Sequence, residues 1–127
     1  MKIKFYHIEN KVLDNIIEYT LRYNEINKKI FNDNTSNLDE LMRSKNDLEK
    51  NIFKILDNQI YLGCISDDQY YSIENEFRKK YLGKNLLNID EIKQIYNSIN
   101  NDDKYKKIKY FLGEAIKENK SIYIIVQ

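Results

Sequence analysis

The chain holds one histidine, His7, and one cysteine, Cys64. Any nucleophilic or acid–base chemistry that needs those residue types must run through this pair. A thiol attacks well when a neighbouring base or a positive field favours the thiolate. Each residue falls near the end of a stretch that reads as a strand, so the two would meet if those strands paired. No helix start directly follows Cys64 to stabilise a thiolate, and no third residue is identifiable to orient the imidazole. A serine hydrolase would also need His7, and no nucleophile-elbow sequence is present. The pair therefore reads as a buried thiol and a strand histidine, and no catalytic residue is assigned.

Metal and phosphate chemistry fare no better. One cysteine excludes an internal disulfide framework and a thiolate zinc cluster, and it suits a reducing compartment. The segment DNTSNLDE, residues 33–40, lacks the glycine and the terminal glutamate of a calcium loop. Asp67-Asp68 and Asp102-Asp103 could hold magnesium together. Each pair also opens a predicted helix, where carboxylates stabilise free amides and the dipole. Gly83-Lys84 lacks the upstream glycine and the following Ser or Thr of a phosphate loop. No metal and no cofactor are expected.

All three glycines follow an aromatic–leucine pair, in IYLGC, KYLGK and YFLGE. Gly83 falls just past a predicted helix, where a left-handed residue ends it. Gly63 falls in a strand and Gly113 inside a helix. Three different contexts and unequal spacings argue against a repeat.

The elements that would carry these residues follow from periodicity. KIKFYHI, residues 2–8, begins by alternating and reads as a strand. Between about residues 9 and 32, Val12, Ile16, Tyr19, Tyr23, Ile26 and Ile30 recur at spacings of four and three, one seam of a long helix. Asn37 with Glu40 reads as a capping box. Leu38, Leu41, Lys45, Leu48, Ile52 and Ile55 then continue the same spacing to about Asp57. Two matching seams joined by a short polar loop predict an antiparallel helical hairpin over 9–57. Leu13, Ile17 and Leu21 form a second stripe on its first helix, which is about 36 Å long. The tip, residues 24–47, is expected to project.

Residues 59–65 read as a strand, with helix continuation as the alternative. Ser66 with Gln69, and Asn88 with Glu91, cap two further helices, and residues 102–119 form a third. SIYIIV, residues 121–126, is the nearly all-apolar strand expected of one buried on both faces. The predicted fold is a single helix-dominated α+β domain spanning residues 1–127. It consists of the long hairpin, three shorter helices, and a small sheet built from the N- and C-terminal strands, with 59–65 as a candidate third.

Charge narrows the partners. Lys and Arg number 21 against 20 Asp and Glu, a net charge of +1. Ile, Lys, Asn and Tyr make up more than half of the chain, a bias that points to an AT-rich genome and discounts its lysines and tyrosines as functional signals. The basic excess gathers in KYKKIKY: Lys104, Tyr105, Lys106, Lys107, Lys109 and Tyr110. Lysines at a helix start oppose the dipole, so structure does not ask for them there. Lysines interleaved with aromatics suit a nucleic-acid backbone and stacked bases. The hairpin tip, by contrast, is neutral and leaves Phe31, Leu38 and Met42 as apolar positions that a protein partner or a second copy would use. Tyr70 and Tyr71 add anchor-type side chains to the protein-binding set.

No apolar run is long enough to cross a bilayer, and no apolar leader opens the chain, so a cytoplasmic protein without a membrane role is expected. The leading expectation is a non-enzymatic protein-binding factor that occludes a cytosolic protein partner. Its class would be an inhibitor, immunity or anti-defence protein of an AT-rich bacterial, phage or plasmid genome, with self-association through the hairpin as a further outcome. The alternative is a small nucleic-acid-binding module using residues 104–110.

Overall fold

The computed structural model describes residues 2–32, 37–66, 86–99 and 103–126. Their order is β1 (Lys2–Ile8), α1 (Leu13–Asn32), α2 (Leu38–Leu56), β2 (Ile60–Ser66), β3 (Leu86–Leu87), α3 (Ile89–Ser98), α4 (Lys106–Glu118) and β4 (Ser121–Val126). One-turn 3-10 segments, Asn10–Val12 and Asp103–Tyr105, lead into α1 and α4. The fold is helix-dominated α+β, as the periodicities predict. The helix expected after Ser66, with Tyr70, Tyr71 and Gly83, lies outside the described residues.

By packing, the chain divides into two compact units, Lys11–Asn58 and Met1–Asn10 with Gln59–Gln127. The first is the helical hairpin. Ile16 of α1 and Leu48, Ile52 and Leu56 of α2 are buried. Between the helices, the Lys45 ammonium sits over the Tyr23 ring, 5.6 Å from its centroid. A lysine at a seam position thus places its stem along the apolar surface and its charge on an aromatic face. Thr20 is buried too, and its hydroxyl donates to the Ile16 carbonyl at 2.7 Å. That bond satisfies a polar group the seam would otherwise leave stranded.

The second unit is a four-stranded antiparallel sheet in the order β2-β1-β4-β3. The strand reading of 59–65 is correct, and Leu86–Leu87 adds a short edge strand that periodicity could not show. One sheet face, with Ile3, Phe5, Ile65, Leu87, Ile122 and Ile124, packs in one cluster with Ile92, Ile95 and Ile99 from α3 and its C-terminal residue. Ile108, Phe111, Leu112 and Ala115 of α4 complete the cluster. Burying each large apolar side chain contributes roughly 1.5–3 kcal/mol. Phe5 and Phe111 meet at its centre with ring centroids 5.0 Å apart. Residues 121–124 of β4 are all buried, so this inner strand is covered on both faces.

Local chemistry sets the boundaries. Asn88 has extended backbone, its side chain accepts from the Glu91 amide at 2.9 Å, and the Glu91 carboxylate accepts from the Asn88 amide at 3.4 Å. The predicted capping box is therefore present at α3. Asn37 differs: its φ of −102° and ψ of 17° are not extended, and its side chain makes no cap bond. At the other end of α4, Asn119 is left-handed, with φ 55° and ψ 48°. The Lys120 amide donates to Ala115 and the Asn119 amide to Ile116, a Schellman closure that turns the chain straight into β4.

Candidate protein-binding surface

Among the described residues the most exposed large apolar side chain is on the hairpin. Phe31, in the last turn of α1, is 91 % exposed; Leu38 and Met42, in the first turns of α2, are 47 % and 40 % exposed. Leu38 and Met42 stand four residues apart and so share one helix face. Phe31 belongs to the end of α1 that the loop joins to α2. The three predicted tip residues therefore fall in the same end of the hairpin, and none is core.

The charges beside them are of both signs. Lys28 and Lys29 precede Phe31, and Asp39 and Glu40 follow Leu38; all four are exposed. None forms an ion pair with another described residue. Their signs match the helix dipoles at those ends. Exposed apolar side chains bordered by balanced charge, unpaired among the described residues, favour a protein surface over a phosphate backbone. Two shallow grooves open along the hairpin. One is lined by Asp47, Lys50, Asn51, Phe53, Lys54 and Asp57, all on or just beyond α2, and the other by Arg22, Glu25, Ile26, Ser44, Asp47 and Leu48. Both are open to solvent and mixed in charge, unlike the enclosed apolar pocket that holds a small molecule.

Leu21 is 65 % exposed, which the second stripe on α1 did not anticipate. A spacing of four residues advances about 40° per step, so Leu21 has turned about 80° away from Leu13, which is half-buried. Ile60 and Tyr61 are also exposed, at the start of edge strand β2. Their position at a sheet edge depends on strand order, which no local pattern encodes.

The basic segment is only partly free. Lys106, Lys107 and Tyr110 are exposed on α4, and Lys106 and Lys107 lie four and three residues before Tyr110, on its side of the helix. Lys109 has a structural partner: its ammonium is 5.1 Å from the Tyr96 ring centroid. Tyr105 is half-buried against the core cluster. Lys104 falls in the 3-10 turn, and its side chain lies outside the described residues.

The His7–Cys64 pair is not brought together. β1 and β2 do pair, but His7 stands opposite Ile60 and Cys64 opposite Lys4. Side chains alternate across a strand, so Lys4 and Cys64 lie on one face of the sheet and His7 on the other. Cys64 interacts instead with the Tyr61 hydroxyl, and that neighbour, ahead of any burial, pushes the phenol above its usual range. Among the described residues no group of three or more His, Cys, Asp or Glu could hold a metal ion. Asp67, Asp68 and Asp102 lie outside them. No described helix is long and apolar enough to cross a membrane. No protein-family model, curated protein or solved structure matches this chain.

Proposed function

We propose that the chain is a non-enzymatic protein-binding factor that uses the end of its helical hairpin, Phe31, Leu38 and Met42, to occlude a cytosolic partner protein. One observation carries this reading. Phe31 is left 91 % exposed at the end of the hairpin that also holds exposed Leu38 and Met42, so its ring is not part of the core of its own unit. Aromatic anchors of this kind lose little conformational entropy on docking and bury a large area. Tyr70 and Tyr71 remain in the proposed set from their residue type. The class, an inhibitor or immunity-type factor of an AT-rich bacterial or mobile genome, rests on composition alone.

The test is a tagged capture from a low-GC bacterial lysate, with and without nuclease, using the native chain and the Phe31→Ser/Met42→Ser variant. A discrete protein held by the native chain after nuclease, and lost with the variant, supports the reading. Equal capture by both moves the site off the hairpin.

A second reading has its own observation. Tyr110 is 61 % exposed and flanked on its helix face by exposed Lys106 and Lys107. A stacking ring with two cations one turn before it fits single-stranded nucleic acid. Loss of every captured partner on nuclease treatment would favour this reading over the first.

A further inference from the structure

His7 is the chain's one histidine and lies in β1, between β2 and β4, opposite Ile60 and Ile122. It shares the sheet face of Ile3 and Phe5 and is 4 % exposed. Its Nε2 atom is buried with no hydrogen-bond partner. A buried polar atom without a partner costs free energy in any state, and far more once it carries charge. The charged groups that act on the ring come from α4 and the turn after it: Lys120, Glu114 and Glu118. Its strand neighbours Ile60 and Ile122 are apolar and cannot compensate a charge.

We propose that His7 is a proton-operated latch: the neutral ring keeps β1 seated between β2 and β4, and protonation under mildly acidic conditions loosens β1 and the end of α4. An imidazolium has two N–H donors, and at least the one on Nε2 would have no acceptor in the present fold. Glu114 and Glu118 are the acceptors a charged ring could recruit, and neither bonds to it in the neutral fold. The acidic state must therefore either move α4 against β1 or leave a buried charge unpaired.

The direction follows from linkage. Burial first, then Lys120, holds the imidazole below its ordinary value of 6.5, while Glu114 and Glu118 pull the other way. The unfolded chain then binds more protons than the folded one as the pH falls below 6.5. Stability is whole above that value and is lost through the interval down to the folded-state pKa, by up to tenfold in the folding constant per pH unit. Just below pH 6.5 ordinary carboxylates are still largely ionised, so the onset of the loss belongs to the histidine.

With one histidine, the imidazole proton resonance is unique. We would follow it from pH 8 to pH 4.5 and measure urea unfolding at pH 7.5 and 5.5, in the native chain and in His7→Leu, Lys120→Met and Glu118→Gln. The expected result is a midpoint below 6.5, a weaker folding constant at pH 5.5, and no such loss in His7→Leu. Lys120→Met should raise the midpoint and Glu118→Gln lower it, which decides the matter even if His7→Leu folds poorly. A midpoint at or above 6.5, insensitivity to both charge variants, or a pH dependence that persists in His7→Leu overturns the latch.

Discussion

The ring of Phe111 fills the space that a side chain on Gly63 would occupy: its Cζ atom lies 2.7 Å from where a Cβ would stand. Gly63 also has a φ of 148°, in a region open to glycine and costly for other residues. The register explains why. Phe5 pairs with Gly63 and Tyr6 with Tyr61, so Leu62 is an extra residue and β2 bulges there. Edge strands often carry such a bulge, which blunts pairing with foreign strands. Here the bulge also admits an aromatic ring from α4 to the backbone of the sheet.

Gly63→Ala should therefore destabilise the sheet unit by about 2–4 kcal/mol, combining a strained φ with a clash against a buried ring. Phe111→Ala should cost about 3–5 kcal/mol through the cavity it leaves. The double variant should cost less than the sum, because the alanine at 111 frees the space the new Cβ needs. Urea midpoints for the three chains measure the coupling; strict additivity would mean that the ring is not what excludes a side chain at 63.

Two asparagines offer a matched pair. Asn88→Ala removes a side-chain cap and should cost about 1 kcal/mol. Asn37→Ala removes no cap bond and should stay within about 0.5 kcal/mol. Thermal melts of the two variants against the native chain decide between a cap defined by residue type and one defined by geometry.

Phe31→Ser and Met42→Ser should each leave stability within about 0.5 kcal/mol of native, since neither side chain is core. Leu112→Ala, at a fully buried position, should cost about 2–5 kcal/mol in the same assay. A large loss from Phe31→Ser would show that the hairpin end is packed in solution and would remove it as a docking surface.

If the chain binds nucleic acid through α4, Lys106→Ala and Lys107→Ala should each reduce the slope of log affinity against log salt by about one. Lys109→Ala should change that slope less, because its ammonium already lies against Tyr96. Fluorescence anisotropy with a labelled oligonucleotide over a salt series reads both. An affinity that ignores salt would dismiss phosphate contacts altogether.

Helical seams were the most legible part of this chain, because a four-three spacing is a local property that survives any tertiary arrangement. The closing strand was legible for a similar reason: only burial on both faces suits SIYIIV. Asn37 and Asn88 show where such reading stops. Both present an asparagine followed three residues later by glutamate, yet the cap forms only where the asparagine's own backbone is extended. Leu86–Leu87 escaped notice because two residues carry no period at all. His7 and Cys64 illustrate a different limit. Their strands pair as the pattern suggests, but register and face, set by contacts across the sheet, send the two side chains to opposite sides. For the candidate surface, Phe31 and Met42 were legible as apolar positions outside a seam and Leu38 as the outermost residue of one, whereas exposed Tyr61 and Ile60 required the strand order.

The pairing of β1 with β4 joins Ile8 to Ser121, residues more than one hundred apart in the chain. A ribosome adding roughly 5–20 residues per second needs about 6–23 s to travel between them. The helical hairpin, a local and contiguous unit, has its full sequence long before that. β1 can pair with β2 once Ser66 has emerged, but its other edge stays unpaired until synthesis reaches β4. A ribosome stalled before Ser121 therefore displays a complete hairpin together with an unfinished sheet, the backbone of β1 offered to whatever strand arrives first.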